Sequence, residues 1–297
     1  VGAHRWKVGN MSASVTGDWE MSFGGLLVGG DTAFGLSSIT GLLDLPSVRT
    51  ADQTILRGHG TTVGDDFMGQ RVITLTLDIY AANPADMQLR IDEFTAAFNV
   101  GDEQTLNFQL PGVAGGSIGR VKARCRGRKV RHDLGVVNGL TTANVRLEAT
   151  DPRIYIEAQA GDTAPLGVTG SGMEFNEVPD ITFGTAQETA IADATNAGNF
   201  STPVTLTILG PVTNPVVTNQ TTGEALTLNS TITAGNYYLI DTAAKTVLLN
   251  GTASRYFELD AASVWLQLQP GVNELKFTND VYHADALLTA VWRSAYI

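Results

Sequence analysis

The sequence predicts a mainly β protein of two domains that contains a single helix. Three observations lead there. The chain has 297 residues, longer than one ordinary sandwich and suited to two domains of ~100–200 residues each. Hydrophobic residues make up 43% and charged residues only 16%, with 32 glycines, a balance that supplies cores and many turns. Short stretches of period-two alternation recur in both halves, and one stretch alone has helical spacing.

That stretch is Gln70 to Asn99. In Arg71–Tyr80, the apolar Ile73, Leu75, Leu77 and Ile79 alternate with Thr74, Thr76, Asp78 and Tyr80, so four apolar side chains share one sheet face. Asn83 then offers an N-cap oxygen. Pro84 suits the first helical position, where no N–H is needed. Asp86 falls in the first turn, where the helix dipole favours negative charge. Met87, Ile91, Phe94 and Phe98 form one apolar stripe, expected to pack on the domain's own sheet.

On the N-terminal side, Trp19 to Gly30 reads as a strand ending in a glycine turn. Arg57 to Asp66 reads as an inter-strand loop, with Gly58, Gly60 and Gly64 giving it backbone freedom. Loops of this kind carry contacts in assemblies, which makes His59, Asp65 and Asp66 candidate contact residues. After the helix, Thr105–Leu110 alternates again. The strand that follows is unusual. Arg120, Lys122, Arg124, Arg126 and Arg128 share one parity and project from one face, while Val121, Ala123 and Cys125 take the other. Three readings stand: a solvated face that protects an edge, a contact with an acidic neighbouring subunit, or phosphate contact. The absence of interleaved aromatics disfavours the last.

The first domain is expected to span 1–157 and the second 158–297. Residues 158–200 are rich in small and polar types and read partly as linker, with Glu177–Phe183 as a candidate edge strand. From Pro203 onward short strands return, among them Val204–Leu209, Tyr237–Ile240, Tyr256–Leu259 and Glu274–Phe277. Thr222-Gly223 and Asn250-Gly251 sit where hairpin turns belong, and this spacing argues for a β-sandwich. Residues 287–297 are expected to return toward the first domain.

Catalytic chemistry is scarce. His4, His59, His132 and His283 have no metal-type spacing, and Cys125 is the one cysteine. Gly115 to Gly119 matches the letters of a nucleophile elbow around Ser117, but a strand follows where the elbow needs a helix. The adjacent pairs Asp65-Asp66 and Asp102-Glu103 point to opposite sides of an extended chain. A net charge of −11 and a pI near 4.7 disfavour nucleic acid and anionic membranes as partners of the whole chain. No apolar run approaches the ~18 residues of a membrane span. These observations predict a protein that is not an enzyme and carries no cofactor or metal. Tyr256, Trp265, Tyr282 and Trp292 read first as core and rim aromatics of the sandwich, and alternatively Tyr256, Trp265 and Trp292 as a glycan platform.

The order of these features carries a resemblance. The strand and turn from Val145 to Tyr155, the run Ala197 to Pro211, the segment Tyr238 to Gly251 and the segment Trp265 to Phe277 together resemble the distal tail protein family of long-tailed, non-contractile bacteriophages. That resemblance implies a tail-tube-like β-sandwich or split barrel with one helix, followed by a galectin-like β-sandwich. It implies a structural virion protein at the distal end of the tail, at the tail tip or baseplate. Such a protein forms a homohexameric ring that joins the tail tube and tape measure protein to hub or fibre proteins. Nucleic acid would enter only as DNA passing through the ring. The alternative is a carbohydrate-binding sandwich that mediates host adsorption.

Overall fold

The computed structural model describes residues 14–166, 189–281 and 283–297. His4, Tyr282 and the expected strand Glu177–Phe183 lie outside the described residues. The chain divides into two compact units, Val1–Glu157 with Tyr296–Ile297, and Ala158–Ala295.

The first unit carries β1 (Glu20–Phe23), β2 (Leu26–Val28), β3 (Phe34–Thr40), β4 (Val48–Thr50), β5 (Gln53–Thr54), β6 (Thr61–Thr62), β7 (Asp66–Met68) and β8 (Arg71–Tyr80). After them come α1 (Pro84–Ala97), β9 (Gln104–Gln109), β10 (Gly119–Val130), β11 (Leu140–Ala149) and β12 (Ile154–Ile156). Its main sheet runs β2-β1-β9-β10-β11-β8-β3. The sheet curls until its edge strands approach each other: the Gly29 N–H donates to the Phe34 carbonyl at 2.7 Å. Among the described residues no ladder closes it into a barrel.

β8 and β11 pair over ten positions, from Arg71↔Ala149 to Tyr80↔Leu140. Their inward residues Ile73, Leu75, Leu77, Ile79, Ala143 and Leu147 are fully buried. The helix starts as its sequence dictates. The Asn83 side chain accepts from the Asp86 N–H at 2.9 Å, with Pro84 in the first turn. Met87, Phe94 and Phe98 are buried, and Ile91 is half-buried against the same core. Phe98 stacks on Phe23 at 5.2 Å between ring centres, and Phe94 lies 5.0 Å from Phe98. These rings seal α1 to the β1–β2 turn. There Gly24 has φ 58°, and a Cβ would lie 2.4 Å from the Ala97 carbonyl oxygen, so only glycine lets the turn approach the helix.

The second unit contains β13 (Ala160–Pro165), β14 (Thr189–Asn196), β15 (Thr202–Leu209), β16 (Val212–Thr213), β17 (Val216–Asn219), β18 (Glu224–Thr227), β19 (Thr231–Ile232), β20 (Tyr237–Asp241), β21 (Thr246–Leu249) and β22 (Ala253–Ser254). It continues with β23 (Gln267–Leu268), β24 (Gly271–Thr278) and β25 (Leu287–Trp292). One sheet runs β13-β25-β15-β20-β21-β22 and the other β14-β24-β17-β18. Leu206, Ile208, Ile240 and Leu288 from the first share one core with Leu226, Leu275 and Phe277 from the second.

Several expectations change here. The small-residue region around 158–200, read partly as linker with an edge strand, contributes β13 and β14, each at the edge of one sheet. Ala190, Ala192 and Ala194 point into the core, and their small size hid the alternation. Tyr256–Leu259 is not a strand: Tyr256–Glu258 form one 3-10 turn. Leu287–Trp292 stays in the second unit as β25. The expected return is made by Tyr296–Ile297 alone, where β26 (Ala295–Tyr296) pairs with β12. Asn250 and Gly251 have φ of 51° and 72°, as the expected hairpin turn requires.

Candidate functional site

Three surfaces hold the residues singled out by sequence: the loop between β3 and β8, the cationic strand β10, and the aromatics of the second unit.

The loop is a projecting arm. β4 pairs with β7 and β5 with β6, in the register Val48↔Met68 to Thr54↔Thr61. Nearly every residue from Leu43 to Phe67 is exposed. Leu43, Leu45, Val48, Ile55, Leu56, Val63 and Phe67 are large apolar side chains among them, Leu56 being 97% exposed. His59, Asp65 and Asp66 lie here, all exposed. His59 sits in the tip turn closed by Ile55 N–H to Gly60 O at 3.2 Å. A patch of this size on one projection is unusual for a chain that works alone.

The root of the arm is clamped by hydrogen bonds, and Arg71 makes most of them. Arg71 shares the inward parity of Ile73 to Ile79 and is 1% exposed. One terminal nitrogen donates to the carbonyls of Gly41, Leu42 and Asp44 at 2.6, 2.9 and 3.0 Å. Its Nε donates to Pro152 O at 2.7 Å. The guanidinium thus ties the first turn of the arm to the turn between β11 and β12. Burial lowers its pKa, partly offset by the charge of Asp44. Gly41, at φ 91°, passes so close to β8 that a Cβ would lie 1.9 Å from Val72 O. The neck closes with Gly69 N–H to Ser47 O at 2.6 Å.

The cationic strand differs from its sequence reading. Cys125 pairs with Leu147 and Gly127 with Arg146, so Arg126 is an extra residue in a β-bulge. A bulge shifts parity by one. Beyond it Arg128 pairs with inward-facing Val145 and leaves the cationic face. Its guanidinium donates to Phe98 O at 2.8 Å, and also to Thr95 O. Arg128 therefore caps the C-terminus of α1, where the helix dipole favours a cation and the last turn has none of its own.

The remaining cations are largely compensated. Arg120 pairs with Glu157 at 3.3 Å, and Arg126 and Arg146 share Glu148 at 3.5 and 2.7 Å. Arg124 donates to Thr150 Oγ1 at 3.4 Å. Lys122 is exposed, with no carboxylate in ion-pair range among the described residues. The face is a mixed-charge surface and not a uniform electropositive stripe.

In the second unit Trp292 is not available to a ligand. It is 5% exposed, and its indole N–H donates to Thr195 O at 2.9 Å. Tyr256 and Trp265 do stack, 6.1 Å between ring centres with 28° between planes, Tyr256 being exposed and Trp265 half-buried against the core. Phe257 beside them is 74% exposed, with the Arg255 guanidinium 5.8 Å from its ring centre. Below, Glu258 accepts from the Tyr238 hydroxyl. Burial, then the bond to Glu258, raises the Tyr238 pKa. Among the described residues no group of three His, Cys, Asp or Glu side chains could hold a metal ion. No described helix is long and apolar enough to cross a membrane.

Residues 197–296 match the family model of the siphovirus-type tail component, C-terminal domain. The crystal structure of the Dit protein of phage SPP1 is similar over both units. Its TM-score is 0.65 at 13% identity, with 94% of this chain and 99% of that one covered. The chain resembles the siphovirus distal tail proteins. The SPP1 protein is described as a paradigm of the hub adsorption apparatus in phages that infect Gram-positive hosts. A chain of the phage P2 baseplate in its activated conformation with Ca is more distantly similar. There the TM-score is 0.46 at 12% identity, with 87% of this chain and 90% of that one covered. No curated protein sequence matches significantly.

Proposed function

We propose that the protein is a structural component of the phage virion at the distal end of the tail. In this reading it is a homohexameric ring that joins the tail tube and tape measure protein to hub or fibre proteins. The family match of residues 197–296 and the fold likeness to the SPP1 Dit protein support the tail-tip role. The observation that carries the ring is the arm. It displays seven large apolar side chains that its own unit leaves in water, and its root is pinned rather than slack. An apolar projection that docks on a different patch of the next subunit makes a heterologous contact, and such contacts generate rings when the rotation closes. Native mass spectrometry and particle imaging of the purified chain test this. A six-fold ring is expected. Monomers alone at high concentration would overturn it.

A second reading has one specific observation in its favour: the stack of exposed Tyr256 on half-buried Trp265, with exposed Phe257 beside it. Aromatic faces of this kind stack on sugar rings, so this edge is the place where a carbohydrate-binding role in host adsorption would reside. Trp292 has no part in it.

A further inference from the structure

If the ring reading holds, the arm needs a receiving surface, and the first unit carries one. β8 joins two apolar patches. At its Arg71 end stands the arm. At its Tyr80 end, on the order of 30 Å away for a ten-residue strand, lies a second exposed group: Tyr80, Leu134, Val137 and Leu140, at 38%, 81%, 64% and 45% exposure. Leu140 is the direct cross-strand partner of Tyr80. The loop between β10 and β11 that carries Leu134 and Val137 is a compact turn. Leu140 N–H donates to Gly135 O at 2.9 Å, Val136 N–H to Asp133 O at 3.1 Å, and Ala81 N–H to Gly139 O at 2.9 Å. It is a platform whose backbone carries these bonds and from which Leu134 and Val137 stand largely in water.

We infer that the arm of one copy docks on the Tyr80–Leu134–Val137–Leu140 end of the next copy. Three points select that occupant. Within one copy the two patches stand at opposite ends of the same strand, so the arm does not cover the platform of its own chain. Charge is complementary: residues 43–68 hold Asp44, Asp52, Asp65 and Asp66 against Arg49 and Arg57, four minus two, a net −2. Residues 129–140 hold Lys129 and Arg131 against Asp133, two minus one, a net +1, Arg128 being engaged at the end of α1. Pairing arm with arm across a two-fold axis would bring acid against acid, whereas arm on platform sets opposite signs together and fixes register. A contact between unlike patches is also the kind that propagates head to tail.

The test is a pair of single-residue probes in the full chain. Cys125 is buried, so Leu56→Cys and Val137→Cys supply the accessible thiols. A short bismaleimide should link the double variant into a ladder of multimers, and leave each single variant unlinked. Native mass spectrometry of the unlinked protein separates the two ideas. Monomers alone would remove both the ring and the docking. Intact oligomers without a 56–137 cross-link, or dimers from Leu56→Cys alone, would remove the docking and leave the ring. As a second measurement, Asp65→Arg with Asp66→Arg should raise the assembly midpoint concentration at least ~10-fold, and adding Lys129→Glu with Arg131→Glu should restore it. Unchanged assembly in the first of these, with circular dichroism showing an intact fold, would also overturn the docking.

Discussion

Replacing Phe94 by alanine tests whether α1 is part of the core of the first unit or a decoration on it. Phe94 is fully buried, and its ring lies 5.0 Å from Phe98, which stacks on Phe23 at 5.2 Å. Truncation removes the ring and leaves a void at the seam between helix and sheet. For a buried phenylalanine the expected loss is about 3–5 kcal/mol. Loss of the ring contact is already inside that range. Ile91 gives an internal control. It is only half-buried, so Ile91→Ala should cost less, about 1–2 kcal/mol. Because the chain has two units, one unfolding free energy is not defined for the whole. The measurement should be scanning calorimetry with both transitions resolved, supported by hydrogen exchange of β8 and α1 amides. Assembly stabilises by mass action, so wild type and variant must be compared at one oligomeric state. A loss below about 1 kcal/mol, or one confined to the second unit, would mean that the helix packs elsewhere than on this core.

Arg71→Met should destabilise the first unit by about 2–4 kcal/mol through unpaired carbonyls. Exchange protection should fall at Gly41 to Ser47, and Arg71→Lys should not restore it, since an ammonium cannot span both sides of the clamp. Trp292→Ala should cost the second unit about 3–5 kcal/mol in the same calorimetry. Trp265→Ala should leave the fold intact, and if adsorption or glycan binding is also unchanged the second functional reading is lost. Lys122→Glu with Arg124→Glu should leave the oligomer mass unchanged, because that face is mostly paired within the chain; dissociation would return the cationic strand to the interface. Burial, then the Asp151 carboxylate that accepts from the Tyr155 hydroxyl at 2.6 Å, raises the pKa of Tyr155. A raised folded-state value gives stability that is full below the ordinary tyrosine value of about 10 and is lost as pH rises above it. Melting temperatures of the first unit should therefore fall above that point, less steeply in Tyr155→Phe.

Much of the first unit was readable because its signals are local and redundant. β8 alternates over its full length between fully buried and outward residues, and α1 has an N-cap, a first-turn proline and an apolar stripe that agree with one another. Arg71 was readable too, in hindsight of parity: it stands on the apolar face of β8, where a cation must be clamped or expelled. The errors have equally physical origins. One inserted residue at Arg126 reverses the face of every residue after it, and no spacing rule marks a bulge in advance. Alanines at 190, 192 and 194 alternate as well as isoleucines would, but weigh too little to be noticed. The arm pairs short threonine-rich segments with no buried face, so no hydrophobic period announces it. His59, Asp65 and Asp66 lie in this arm, exposed, and the ladder that carries them left no mark in the sequence.

The bulge at Arg126 and the clamp at Arg71 divide the basic residues of the first unit by task. Arg71 and Arg128 are spent on backbone carbonyls, the first at the root of the arm and the second at the end of α1. Arg120, Arg126 and Arg146 are spent on Glu157 and Glu148. Arg131 lies beside Asp133 at 2.7 Å but is largely exposed, and an exposed pair of that kind is held by little. Lys122 and Lys129 are exposed. Of the positive charge that can be redirected to a partner, the share at Lys129 and Arg131 sits next to Leu134 and Val137. The exposed apolar side chains and the available cations are different residues, and both groups lie at the Tyr80 end of β8. On the middle of the sheet Lys122 and Arg124 remain without a carboxylate partner, Arg124 donating to the Thr150 hydroxyl. An interface centred on the arm and the β10–β11 loop joins available cations to exposed apolar side chains, whereas on β10 Arg120 and Arg126 are already paired with Glu157 and Glu148.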